Sequence, residues 1–309
     1  MLAERWIAGL AALGSQITLD DTRAYRATWD DPLEGEFAGY RILTGPPNTS
    51  GFILLRALNA ITTGIDDPLG EGAGGLAAVF EAANAVRAAS LADPAFGGPS
   101  GAELLAMAPL RASEPGPTPN GDTVGLSAVS SDGWAISLIN SIFTSFGSQI
   151  LEPETGIIFQ SRGTAFSLDP TSPNAFAPGK RPRHTLMPVL VLRGDELAWV
   201  PATMGGSGQP QIHAQLLLRS LAGASPQEAT GAPRWIVGEA EPDGAVTVLA
   251  EEDVTPAALE AIASAGYALR IVPPHTERLG HSNLIRIDAA GYSAASDPRS
   301  DGSAIVVPG

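Results

Sequence analysis

The 309-residue sequence contains no cysteine. That excludes disulfides, thiol catalysis and cysteine-ligated zinc, and it leaves the redox compartment open. It contains one lysine, Lys180, and its 18 basic residues face 33 acidic ones, for a formal net charge of −15. Without a basic patch to neutralise phosphates, nucleic-acid binding is disfavoured, and so is attachment to an anionic membrane surface. No apolar run approaches the length of a membrane span. The four histidines show no recognisable metal-ligand spacing, so no metal and no other cofactor is expected. The N-terminal stretch carries Glu4 and Arg5 among its apolar residues and reads as an amphipathic helix, not a signal peptide. A soluble, cytoplasmic protein is the expectation.

What is present is ample for a sizeable core, with 44% hydrophobic residues. The chain reads in order as follows. Helices are predicted over 2–13 and from Thr18 to about Arg26. Short strands follow over 33–45. The loop Pro46–Gly51 leads into a helix over 52–61, as either a substrate-facing loop or a plain capped helix. Gly70, Gly72 and Gly75 match a dinucleotide-binding spacing, but no strand precedes them, so they read as a loop before the Ala-rich helix of 76–92. Residues 97–122 are rich in Gly, Pro and Ser and read as a flexible, exposed connector. Two strands meet at Arg193–Asp195, and helices are expected over 208–221, near 225–231 and over 255–265. Strands near Trp235, around 246–249 and on either side of Ala289–Gly291 complete the α+β alternation.

The chain is organised around the stretch beginning Gly121–Asp122–Thr123. A Thr heads an alternating strand, and an Asp-Gly turn at Asp132–Gly133 returns a second strand, which is a β-hairpin pattern. A Thr freed as a chain terminus is a self-contained catalyst, because its hydroxyl is a nucleophile and its α-amine a base near neutrality. Taken alone, the same residues describe an ordinary strand start.

This stretch resembles the start of the small subunit in the γ-glutamyltransferase family of N-terminal-nucleophile hydrolases. Further resemblances follow in order at Pro46–Gly51 (PPNTSG), Pro178–Pro182 (PGKRP), Met204–Gly206 (MGG), Ala232–Trp235 (APRW) and Ser296–Gly302 (SDPRSDG). The resemblance implies an αββα four-layer sandwich, incomplete at the N-terminus, forming one intertwined domain over 1–309. Residues 1–122 would be the remnant of the large-subunit part and 123–309 the small-subunit part. It implies cleavage at Asp122–Thr123, Thr123 as nucleophile, and Gly205 and Gly206 as oxyanion donors. Ser141 stands where the family has a hydroxyl that bonds the nucleophile. A Gly-Gly after a strand is also an ordinary tight turn.

The substrate set departs from the family and is similar to its cephalosporin-acylase-like branch. Phe143, Arg162, Ala165, His184 and Thr185 replace the groups that hold a γ-glutamyl ammonium and carboxylate. Arg162 reads either as a partner for a substrate carboxylate or as a loop-bridging residue. Gln209, His184 and His213 read as substrate contacts, and the histidines equally as structural donors. The implied activity is an amidohydrolase or acyltransferase acting on a small-molecule amide through an acyl-enzyme. The alternative is an inactive, truncated homologue serving in binding or assembly. A curtailed sandwich would expose apolar surface and favour self-association.

Overall fold

The computed structural model describes residues 2–110, 121–240 and 246–307. Eight helices and thirteen strands alternate along them. The first part holds α1 (Leu2–Ala11), α2 (Leu19–Ala24), the strands β1 (Leu33–Phe37) and β2 (Tyr40–Thr44), then α3 (Gly51–Gly64), α4 (Ala73–Ser90) and α5 (Gly101–Ala106). The hairpin β3 (Gly121–Val129) and β4 (Ala135–Thr144) follows, with short strands β5 (Leu151–Glu152) and β6 (Ile157–Ile158). Next come β7 (Val189–Arg193), β8 (Glu196–Met204), α6 (Gln209–Leu221) and α7 (Pro226–Gly231). The chain closes with β9 (Trp235–Ala240), β10 (Val246–Glu251), α8 (Pro256–Ser264), β11 (Ala268–Val272), β12 (His281–Asp288) and β13 (Gly291–Ser296).

Local chemistry accounts for the helix starts. Thr18, Ser100 and Ser225 each cap a helix through a reciprocal box with Asp21, Glu103 and Glu228. The connector expected to be unstructured is ordered over its first part. Ser100 starts α5, and Leu104 seals that turn into the core with no exposed surface. Residues 111–120 of that connector lie outside the described residues. Strand β11 was not expected from the sequence. Its burial pattern is mixed, so no alternation marks it, and it is held by parallel pairing to β10.

Six antiparallel strands form the central sheet in the order β1-β2-β7-β8-β12-β13. Helices α3 and α6 pack against it, and the β3–β4 hairpin packs on β8 and β12. Every residue of β8 from Ala198 to Met204 is buried, which requires cover on both faces of the sheet. The hairpin is fixed there by cross-layer hydrogen bonds. Ser137 Oγ donates to the Pro201 carbonyl at 2.7 Å, and Asn283 Nδ2 donates to the Gly125 carbonyl at 2.7 Å. The α+β class therefore holds. Among the described residues the outer face of the hairpin is bare: Val124, Leu126, Ile136 and Leu138 are exposed there.

The three-stranded sheet β11-β10-β9 packs beside α4 and α8. Phe80 of α4 meets Trp235 of β9 edge-on, with ring centroids 6.1 Å apart. Helix α6 joins the outer edge of β9 through two glutamines one turn apart. Gln211 accepts from Val237 N and donates to Val237 O, both at 2.8 Å, and Gln215 does the same at Trp235. The APRW and SDPRSDG motifs meet in a buried network. Arg234 pairs with Asp297 at 2.7 Å, and Arg299 bridges Asp297 and Glu251. Burial opposes the ionisation of Asp297, and the charges of Arg234 and Arg299 overcome it, so its carboxyl sits below its ordinary range.

Candidate active site

The ladder between β3 and β4 slips at one step. Asp122 pairs with Phe143 but Thr123 pairs with Ser141, so Ile142 is the extra residue of a bulge. A bulge bends its strand and re-aims the neighbouring side chains. Thr123 itself keeps the register set by the hairpin turn, and its Oγ1 donates to Ser141 Oγ, 2.9 Å away. Phe143, just beyond the bulge, has φ +82°, a conformation that costs a non-glycine residue on the order of 1–3 kcal/mol. That conformation aims the Phe143 N–H at Ser141 Oγ, at 3.0 Å.

Arg162 completes the cluster. It opens a 3-10 turn, Arg162–Ala165, and its Nη2 donates to the same Ser141 oxygen at 3.0 Å. Its guanidinium lies 4.6 Å from the centre of the Phe143 ring, a cation–π contact. Three donors therefore converge on one hydroxyl oxygen, one of them cationic. Such an oxygen orients Thr123 but is a poor base for its proton. Arg162 is 8% exposed, and its Nη1 is buried with no partner. Burial pushes its pKa down to about 10, so it still carries its charge at neutral pH.

His184 stands near Arg162 on the segment after PGKRP. That segment is anchored at two points. Arg181 pairs with Asp93 at 2.9 Å, and the PPNTSG loop is laced to it by Ser50 Oγ donating to the His184 carbonyl and Asn48 Nδ2 to the Pro182 carbonyl. The Pro46–Gly51 loop therefore braces the 182–186 segment, and Ser50 makes no side-chain cap to α3. His184 Nδ1 accepts from Leu186 N at 3.2 Å, which leaves the ring proton on Nε2. Burial, then the positive charges of Arg162 and Arg181, push its pKa down to about 4, so the ring is neutral. Phe143, His184 and Thr185 line a cavity of about 610 Å3. A larger cavity of about 880 Å3, near Tyr40, Trp199 and Tyr292, is lined by none of the expected site residues.

Gly205 and Gly206 follow β8, with φ +156° and +52°, and open a 3-10 turn into α6. A Cβ on Gly205 would lie 2.4 Å from Ile212 Cδ1. Gln209 and His213 lie one turn apart on α6, both with no exposed surface. Gln209 Oε1 accepts from Met187 N at 3.4 Å, and the His213 ring lies against the Met187 backbone. Burial pushes the His213 pKa down to about 3. In this arrangement both are shielded from solvent, whereas Arg162, Phe143, His184 and Thr185 gather on the Ser141 side. Sequence reasoning passed over Arg87, on the Ala-rich helix α4, which also lines the 610 Å3 cavity. Its signal was an arginine alone among small residues on a helix with a buried face. Among the described residues no group of three or more His, Asp or Glu is placed to hold a metal, and no helix is long and apolar enough to cross a membrane.

A central antiparallel sheet with a hairpin laid across it, helices outside, and a buried Thr at the hairpin's first strand define a fold shared with N-terminal-nucleophile hydrolases. The structure superposes on a cephalosporin acylase from Bacillus halodurans with a TM-score of 0.86 and 28% identity, covering 100% of this chain and 59% of the other. The chain belongs to the gamma-glutamyltranspeptidase family, which it matches over residues 1–307. It is 33% identical to a glutathione hydrolase-like YwrD proenzyme of Bacillus subtilis, over 98% of this chain and 61% of that protein. It is 35% identical to an oxamate amidohydrolase proenzyme of Klebsiella pneumoniae, over 98% of this chain and 60% of that protein. The chain thus spans about 60% of the length of the curated relatives it matches.

Proposed function

We propose that this chain carries the nucleophile half of an amide hydrolase or acyltransferase, with Thr123 as the nucleophile, released by cleavage of the Asp122–Thr123 bond. The observation that carries the reading is the 2.9 Å bond from Thr123 Oγ1 to a Ser141 oxygen held in place by two further donors. In the uncut chain Thr123 N is an amide and offers no base. Attack of Oγ1 on the Asp122 carbonyl moves the acyl group from nitrogen to oxygen. Water then cleaves the ester, leaving a carboxylate on Asp122 and a free α-amine on Thr123. That amine takes the hydroxyl proton as Oγ1 attacks a substrate amide, and passes it to the departing amine. Water or an acceptor amine resolves the resulting ester. The N–H groups of Gly205 and Gly206 are the assigned oxyanion donors.

The substrate class we infer is a small amide bearing a carboxylate. The unpartnered Nη1 of Arg162 suits an anion. Oxamate, named in one relative, is itself such an amide. Nothing at Ala165 or Phe143 would balance a substrate ammonium, so γ-glutamyl groups are poor substrates in this reading. A binding-only role is not favoured, since the relatives compared are named as hydrolases or acylases. Intact-mass spectrometry of the purified protein tests the proposal. Two chains meeting at Asp122–Thr123 are expected, and one intact chain for Thr123→Ala. Cleavage of that variant at the same bond would remove Thr123 from the role.

A further inference from the structure

Among the described residues Arg87 is a buried cation without a counter-ion. It lies on α4, is 7% exposed, and lines the same cavity as Phe143, His184 and Thr185. Its Nε is buried with no partner, and among the described residues its side chain makes no hydrogen bond or ion pair. Arg183, which also lines the cavity, donates to the Ala88 carbonyl at 2.7 Å and carries the same sign. Burial first, and the charge of Arg183 second, push the Arg87 pKa down to about 10, which still leaves it charged. Among the described residues the one acid on the cavity wall, Asp169, is exposed and engaged with Thr171 N and Oγ1. Asn84, one turn before Arg87, also faces the cavity, and its Oδ1 is buried and unpartnered. A desolvated guanidinium with no counter-ion, in the field of a like charge, is unfavourable unless an anion joins it.

We propose that Arg87, with Arg183 beside it, forms a second anion subsite that binds a carboxylate at the far end of a substrate whose nearer carboxylate is held by Arg162. The inference rests on the reading of Arg162 and this cavity as the substrate side of the site. It makes α,ω-dicarboxylates the favoured ligand class. Binding a dicarboxylate needs neither chain cleavage nor turnover. Failure of self-cleavage would sink the proposed nucleophile and leave this subsite to be judged by itself.

The probes are succinate, glutarate and adipate, each against its monoamide, titrated into the intact protein at constant ionic strength. Calorimetry and thermal shift read the result. At least one dicarboxylate is expected to bind about tenfold or more tightly than its monoamide, as a charge-assisted contact of this kind supplies. Arg87→Met should abolish that preference, while the unliganded melting temperature stays level or rises, since no native partner is lost. Ala88→Glu places a carboxylate on the cavity wall and should abolish the preference with Arg87 intact. No preference in the wild type, or a preference that survives Arg87→Met, overturns the subsite. If Arg87→Met does not fold, survival of the preference in Ala88→Glu overturns it.

Discussion

Gly125 rests so closely on Thr203 that a Cβ there would come within 2.9 Å of the Thr203 backbone nitrogen. The hairpin that carries Thr123 therefore lies backbone against backbone on β8, the strand that ends at Met204, just before Gly205. Gly125→Ala must lift β3 away from β8. Overpacking of this kind costs about 1–3 kcal/mol. The expected result is a folded protein with a lower melting temperature and slowed cleavage at Asp122–Thr123. Undiminished cleavage would mean that hairpin seating does not govern the geometry of Thr123.

Ser141→Ala removes the oxygen on which Thr123, Phe143 N and Arg162 converge. Loss of an orienting hydrogen bond of this type is expected to lower the rate of self-cleavage by about 10–100-fold. Ser141→Thr should retain most of it. Time-resolved mass spectrometry after synthesis reads both. A Ser141→Ala protein that cleaves at the wild-type rate would leave Ser141 a structural role only.

Arg162→Ala should weaken a carboxylate-bearing amide by one to two decades in kcat/KM and change a neutral amide little, because a charge-assisted bond is worth about 1.5–3 kcal/mol. Glutaryl- and γ-glutamyl-anilides give the comparison. The wild type should prefer the glutaryl compound. Equal or better turnover of the γ-glutamyl compound would place the ammonium-binding group elsewhere.

Acid should destabilise the protein well above the range where carboxylates titrate. His184 and His213 have pKa values of about 4 and about 3, against 6.5 for an ordinary histidine. Between those limits the unfolded chain binds protons that the native state refuses. Stability is therefore full above pH 6.5 and falls as pH drops toward 4, by about 1.4 kcal/mol per pH unit for each histidine. The His213 ring is fully buried, so His213→Leu should keep neutral-pH stability and reduce the slope. Urea melts between pH 7 and 4.5 measure it, and an unchanged slope would refute burial as the cause.

Arg299→Ala leaves Asp297 paired with Arg234 and takes from buried Glu251 the arginine it is paired with. Breaking such a network on one side costs about 3–5 kcal/mol. A melting curve for that variant within a degree or two of wild type would show the network to be dispensable.

The sequence was legible where a pattern is local. The alternation of β3 and β4 and the turn at Asp132–Gly133 set the register that brings Thr123 to Ser141. Ser100 and Glu103 are a helix start hidden inside a Gly- and Pro-rich run, and composition outweighed them in the reading. Strand β11 carries no alternation of its own and exists through its pairing with β10. The meeting of Arg162 with Ser141 depends on a 3-10 turn and a bulge, neither of which has a sequence period. Arg87 is the clearest gap. An Ala-rich helix marks a packed face, but only the tertiary arrangement reveals that a guanidinium on it has no counter-ion.

The glutamines of α6 bear on a hazard that every open sheet carries. Strand β9 is the last of its sheet, and its outward N–H and C=O groups would otherwise offer a template for a passing strand. Gln211 and Gln215 already occupy those groups at Val237 and Trp235. The helix thus acts as a false neighbouring strand and protects that edge from aggregation. Replacing both glutamines with leucine would keep the helix buried but reopen the edge, and the expected outcome is a protein that forms β-rich aggregates at temperatures the wild type tolerates.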